Sequence, residues 1–187
     1  MSRLRALAAR LAPGVAVAAL IGAAGAAATM GFGLYDVRAS SQHTPLVAWA
    51  VHATMIRAAQ IHAAGIVQPP SFTPAEVQSG FDLYDRDCAT CHGGPATPRA
   101  DWVNGMNPSP PFLMDSNRLW TNPQLFWIIK GGVKMTGMPA WGVTRSDGQI
   151  WDLVAFLDAM PNLPPGAYAQ MRAQRLSPAG PHAAQSR

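Results

Sequence analysis

Charge is scarce in this 187-residue chain: Asp, Glu, Lys and Arg together make up 13% of it, against roughly 25% in ordinary soluble domains. Glutamate is nearly absent, with Glu76 the only one. No run of Lys and Arg exists, so the +4 formal charge carries no nucleic-acid footprint. Three of the 14 basic residues, Arg3, Arg5 and Arg10, sit in the first ten positions, and the chain from Asp36 onward holds 11 basic against 10 acidic residues. A nucleic-acid partner is therefore excluded from the reading. Convincing strand patterns and internal repeats are also missing, and there are only two cysteines, with no second pair to complete a four-ligand zinc site.

The shortage of charge has one clear source. Residues 11–35 contain no charged side chain and are rich in Ala, Gly, Val, Leu and Ile. About 20 such residues suffice to cross the hydrocarbon core as a helix. Arginines ahead of a first span hold that end in the cytoplasm and send the remainder across. A cleaved signal peptide, cut after Ala28, is the competing reading. Its apolar region is usually about 7–15 residues, shorter than the stretch here. A single-pass anchor in a bacterial inner membrane, with the body in the periplasm, is the expectation. Both readings export the body.

Four zones follow: a leader and anchor over residues 1–35, a linker with an amphipathic helix over 36–71, a helical domain over 72–163, and a tail over 164–187. In the second zone Thr44 can cap a helix, Pro45 suits its first position and Gly65 can stop it. Its apolar residues spread widely round the helix, so it is expected to lie on a membrane surface or against a partner. His52, Met55 and His62 share roughly one side of it, too few donors for a persuasive metal site. Pro69-Pro70 forms a stiff connector. The domain opens with Thr73-Pro74-Ala75-Glu76, a capping box. A helix from Asn122-Pro123 to Lys130, stopped by Gly131-Gly132, and another from Ser146-Asp147 to Pro161 follow. Loops rich in Pro and Gly join them, from Gly93 to Pro111 and from Gly131 to Gly142. A short helix around Tyr168 is possible in the tail, with little order expected near the end.

Cys88-Ala89-Thr90-Cys91-His92 is a C-x-x-C-H attachment pattern for c-type haem. Two thiols a turn apart can bond to two vinyl groups on one porphyrin edge, and the following imidazole can turn toward the iron. A dithiol oxidoreductase would be expected beside a βαβ pattern, which is not visible. For the sixth ligand, Met135 and Met138 both lie in the loop before the last domain helix. Met138 is preferred, because Pro139 stiffens the loop and Gly137 allows close backbone approach. Met106 and Met114 read as packing residues.

With Asn107-Pro108-Ser109-Pro110-Pro111 and Gly137-Met138-Pro139-Ala140-Trp141, these landmarks make residues 72–161 resemble a class I monohaem cytochrome c. The resemblance implies an all-α fold with crossed first and last helices, Gly80-Phe81 meeting Trp151 or Phe156. It implies His92 and Met138 as axial iron ligands, and a proline carbonyl, Pro110 or Pro111, orienting His92. One covalent haem c, held by Cys88 and Cys91, would pass single electrons between membrane-embedded donor and acceptor complexes such as an oxidase. The runner-up reading is a haem subunit docked in a larger oxidoreductase complex, with the 44–65 helix as docking element. Lys130 and Lys134 flank the ligand loop as a possible docking face. A haem enzyme or gas sensor is the competing class; it needs a distal acid–base group, which Glu76 at a helix start does not supply, leaving only His43, His52 and His62 as candidates.

Overall fold

The helix starts are written locally and form where the caps lie. In the computed structural model, which describes residues 2–116 and 119–177, Thr73 caps α3 (Pro74–Asp87): its hydroxyl accepts from the Glu76 N–H, and the Glu76 carboxylate accepts from the Thr73 N–H at 2.6 Å. The same reciprocal pattern joins Ser146 and Gln149 at the start of α7 (Asp147–Ala159). α6 (Asn122–Gly131) begins at Asn122 as expected from sequence; its cap is Thr121, whose N–H is bonded to the Gln124 side chain at 3.0 Å.

The chain divides into two compact units, Met1–Ser41 and Gln42–Arg187. The first is almost wholly α1 (Ser2–Gly31). Within it Ala9–Gly31, 23 residues with none buried, is long and apolar enough to cross a membrane. At 1.5 Å per residue it spans about 34 Å, just over the ~30 Å hydrocarbon core. After it, Asp36 holds Arg38 and Ser41 through its carboxylate.

The second unit is helical, including the short α5 (Leu113–Ser116), with no strand among the described residues beyond an isolated bridge between Gly94 and Thr97. Its centre is the crossing of α3 over α7. Gly80 is buried there, and a Cβ on it would overlap the Asp152 carbonyl and come within 2.8 Å of the Phe156 Cβ. Ser79 bonds Asp152 at 2.7 Å beside the crossing. Of the two aromatic candidates, Phe156 is the one that meets α3, edge-on to Phe81 at 5.6 Å. Trp151 instead stacks on Phe126 of α6 at 4.4 Å.

Two flanking helices pack on this body. α2 (Pro45–His62) lies against α6, with Ala59 buried and His62 stacked on Trp127 at 5.5 Å. Ala63, just beyond its last turn, is buried as well. From the expected tail, α8 (Ala167–Leu176) inserts Tyr168 into the core, edge-on to Phe81 at 5.4 Å. The Tyr168 hydroxyl donates to Asp85 at 3.0 Å, and Arg172 and Arg175 of the same helix also hold that fully buried carboxylate. A buried carboxylate requires such partners. The expectation for residues 178–187 falls outside the described residues.

Candidate functional site

α3 delivers its chain directly into the two cysteines. Cys88 closes α3 by donating its N–H to the Tyr84 carbonyl at 2.8 Å, and the short helix α4 (Ala89–His92) begins at once. The Cys91 and His92 N–H groups both return to the Cys88 carbonyl, at 3.1 and 2.9 Å. One helical turn therefore separates the cysteines, and His92 follows on the same turn. Gly93 then reverses the chain at φ 68°, where a side chain would be strained. Its carbonyl accepts from the buried Tyr84 hydroxyl at 2.7 Å.

Both cysteines are half-buried and free of disulfide bonding. Burial first, then the Asp87 carboxylate and Cys91, push the Cys88 thiol up to about 12. The position suits a neutral sulfur, and a thioether is one.

His92 has a defined orientation. Its Nδ1 lies 2.8 Å from the Pro111 carbonyl oxygen. A carbonyl can only accept, so Nδ1 carries the hydrogen and Nε2 keeps its lone pair. Burial holds the imidazole below its ordinary value, with the Pro111 bond opposing that and the Arg99 charge adding to it. The neutral, Nε2-open form is what binding to iron requires. Of the two candidate prolines, Pro111 makes this bond. Pro110 accepts instead from Arg99 Nη1 at 2.8 Å. Arg99 also bonds Asn104 at 3.2 Å and lies 4.8 Å over the Phe112 ring, so one guanidinium braces the segment carrying the His92 acceptor.

The methionine loop follows α6. Gly132, at φ 65°, has Pro139 so close that a Cβ would meet its carbonyl carbon at 2.6 Å. Val133 N–H bonds the Met138 carbonyl at 3.3 Å, and Met138 N–H bonds the Thr136 hydroxyl at 3.1 Å. Met138 is half-buried against the helical core. Met135 differs: it has a positive φ of 60° and is 73% exposed. The end of Met106 lies against Gly137, where a Cβ would overlap it. Of the two lysines named from sequence, Lys130, in the last turn of α6, is engaged in an ion pair with Asp147 at 2.7 Å, and Lys134 is exposed.

Sequence reasoning missed one device. Arg145 leaves the methionine loop, lies 5.8 Å from the Trp141 ring, and binds Asp87 at 2.6 Å, 58 residues away and adjacent to Cys88. The pair is 21% and 11% exposed and ties the loop to the end of α3. Neither residue carries a recognisable pattern, so only proximity reveals it. Although burial works against ionisation of Asp87, hydrogen bonds and charge from Arg86 and Arg145 outweigh it and hold its carboxyl below the ordinary 3.8. A lowered carboxyl contributes stability that is present above the unfolded value and lost as pH falls through the folded one. Arg145→Met should cost about 2 kcal/mol, under the ~3–5 kcal/mol of a fully buried pair because Arg86 still reaches Asp87. Its thermal unfolding midpoint should then approach that of the wild type as pH drops below 4; a constant difference would contradict this.

The donor set fits a c-type haem: two sulfurs a turn apart, that of Cys88 in a site that favours its neutral form, a neutral imidazole with one nitrogen open, and a thioether packed inward on a braced loop. Residues 75–157 match the family described as "Cytochrome C oxidase, cbb3-type, subunit III". No curated protein and no solved structure gives a match. The matched stretch runs from the start of α3 to the end of α7, and so takes in the cysteine turn, the His92 segment and the methionine loop. The chain is a monohaem c-type cytochrome, with one covalently bound haem c and an N-terminal apolar helix that fits membrane anchoring.

Proposed function

We propose that this cytochrome shuttles single electrons between membrane-embedded donor and acceptor complexes, the acceptor being a terminal oxidase or similar centre. In this reading Cys88 and Cys91 would hold the haem through thioether bonds, and His92 and Met138 would supply the two protein ligands to its iron. Residues 11–35 anchor the chain once in a bacterial inner membrane, with the haem domain in the periplasm.

The bound haem supplies a one-electron iron couple. The chain's part is to keep both axial donors in place, so that adding or removing an electron requires little rearrangement. His92 does this through its Pro111 bond, which fixes the ring and the tautomer. That bond is the observation that carries the proposal. The Thr136–Met138 and Val133–Met138 bonds hold the loop of the second proposed donor to a narrow range of shapes. A carrier with both positions filled has no open iron site, and so no catalytic role is assigned.

One observation favours a second form of the same chemistry. The matched family is described as a subunit of an oxidase, which supports a haem subunit resident in a larger oxidoreductase complex. Mild detergent extraction separates the two forms, since a resident subunit purifies in fixed stoichiometry with its complex.

Absorption spectra of the membrane-extracted protein test the ligand set. The reduced wild type should give a low-spin c-type spectrum that CO leaves unchanged. Met138→Ala should bind CO readily, and its midpoint potential should fall by on the order of 0.1 V within the ~0.8 V that axial ligands span. A wild type that binds CO at once would overturn the carrier reading in favour of a sensor or enzyme. A Met138→Ala spectrum identical to wild type would assign the sixth position to another residue.

A further inference from the structure

α2 lies outside the segment that matches the cytochrome family, and its two sides meet different surroundings. One side packs inward: Ala59 is buried, Met55 and Ile56 are half-buried, and His62 stacks on Trp127. The other side is open. Leu46 is 72% exposed and Trp49 68%, with Ala50 and Ala53 exposed beside them. At 100° per residue these four fall within an arc of about 100° that holds no polar side chain over the first nine residues of the helix. An exposed apolar stripe that includes a tryptophan is an interaction surface rather than ordinary surface.

From this arrangement we infer that the Leu46–Trp49–Ala50–Ala53 face of α2 lies on the surface of an anionic lipid bilayer. The inference rests on the reading of α1 as an anchor. Only thirteen residues separate Gly31, the end of α1, from Pro45. Fully extended they reach roughly 45 Å, and the hydrogen bonds joining Asp36 to Arg38 and Ser41 shorten that. A bilayer holding α1 is thus always within reach of α2, at high effective concentration. The chemistry agrees. α2 contains no acidic residue, and its one formal charge is Arg57, exposed on the same side as the open stripe and toward its far end. A long arginine side chain there can extend to lipid phosphates while the stripe enters the interface. Tryptophan is enriched at this depth of a membrane. The polar side that a free interfacial helix would need is replaced by the cytochrome body, on which α2 packs.

Site-directed spin labelling of the full-length holoprotein tests this in nanodiscs of phosphatidylcholine and phosphatidylglycerol. Cys88 and Cys91 are consumed as thioethers in the proposed site, so a nitroxide goes to one introduced thiol. Trp49→Cys and Ala53→Cys report the stripe, Ala53→Cys while keeping Trp49; Gln170→Cys, exposed on α8, is the water reference. At positions 49 and 53 the ratio of collisions with O2 to collisions with a water-soluble nickel complex should exceed that at 170 several-fold. A water-like ratio at both would overturn the proposal. Shielding from both reagents would also overturn it, since protein, a second copy or a partner subunit, then covers the face. Washing the membranes with alkaline carbonate tests α1 separately. Release of the chain would remove the anchor reading and this inference together, whereas a retained chain with water-like labels would remove the inference alone.

Discussion

Cys88→Ala/Cys91→Ala should yield no haem-stained band after denaturing electrophoresis, and almost no stable holoprotein. In the proposed site each thiol is one covalent attachment point, and the two stand one α-helical turn apart with His92 on the same turn. Removing both would leave only the iron–ligand bonds proposed for His92 and Met138, which denaturant breaks. The single variants should retain some stained protein through the remaining bond, in strongly reduced amount. The loss extends to the fold, because in the proposed site a tethered haem would be ligated by His92 and Met138 only in the folded chain, and losing the group removes that stabilisation. Cys88 itself packs against the helical core. Normal haem retention by the double variant under denaturing conditions would exclude covalent attachment at this motif.

The second large effect is expected at Gly80. A valine there places its Cβ on the Asp152 carbonyl, a backbone group that cannot rotate away. α3 and α7 must therefore separate. Overpacking in a close-packed core typically costs about 1–3 kcal/mol, and more when backbone must move. Here separation also loosens Phe81 from Phe156 and Tyr168, and each fully buried side chain of that size is worth about 1.5–3 kcal/mol. We expect a loss of at least about 3 kcal/mol out of a total of roughly 5–15 kcal/mol. Thermal unfolding of the holoprotein, followed by circular dichroism, measures it. Gly80→Ala should be smaller in effect but of the same sign, and an unchanged midpoint for the valine variant would mean that the helices do not cross there.

The Gly80 case shows how far local pattern reaches. A glycine on the apolar side of an amphipathic helix signals close approach, and α3 was legible from Thr73-Pro74-Ala75-Glu76 alone. Capping is a contact between residues three apart, so it is written in the sequence at full strength. What the glycine approaches is not. Phe156 and Trp151 sit on the same short helix, both aromatic, and either could meet α3. Phe156 is the one that lies against Gly80 and Phe81, while Trp151, about 140° round the same helix, stacks on Phe126, on a helix whose placement depends on the whole fold.

The site divides along the same line. The C-x-x-C-H spacing, the Met138-Pro139 loop and the long uncharged run are short-range signals, and they carried the cofactor, the ligand candidates and the anchor. The selection of Pro111 over Pro110 required three dimensions, since it depends on which carbonyl the Gly93–Pro111 loop turns toward His92 and which toward Arg99. The pairing of Arg145 with Asp87, the burial of Asp85 under Tyr168, Arg172 and Arg175, and the docking of α2 on α6 were likewise beyond sequence reading.

By itself, then, the sequence determined the helical class, the capped starts of α3 and α7, the covalent haem motif and the membrane-length apolar helix. Each of these is encoded within a window of a few turns, where chain connectivity alone brings the interacting groups together. Only the tertiary structure decided that Tyr168 completes the core, that Asp87 ties the methionine loop to the end of α3, and that α2 keeps one apolar side free. Those outcomes depend on pairs 58 to 90 residues apart and on which of several similar side chains a crowded interior admits. Such pairs are brought together by packing of the whole chain, and no local pattern specifies them.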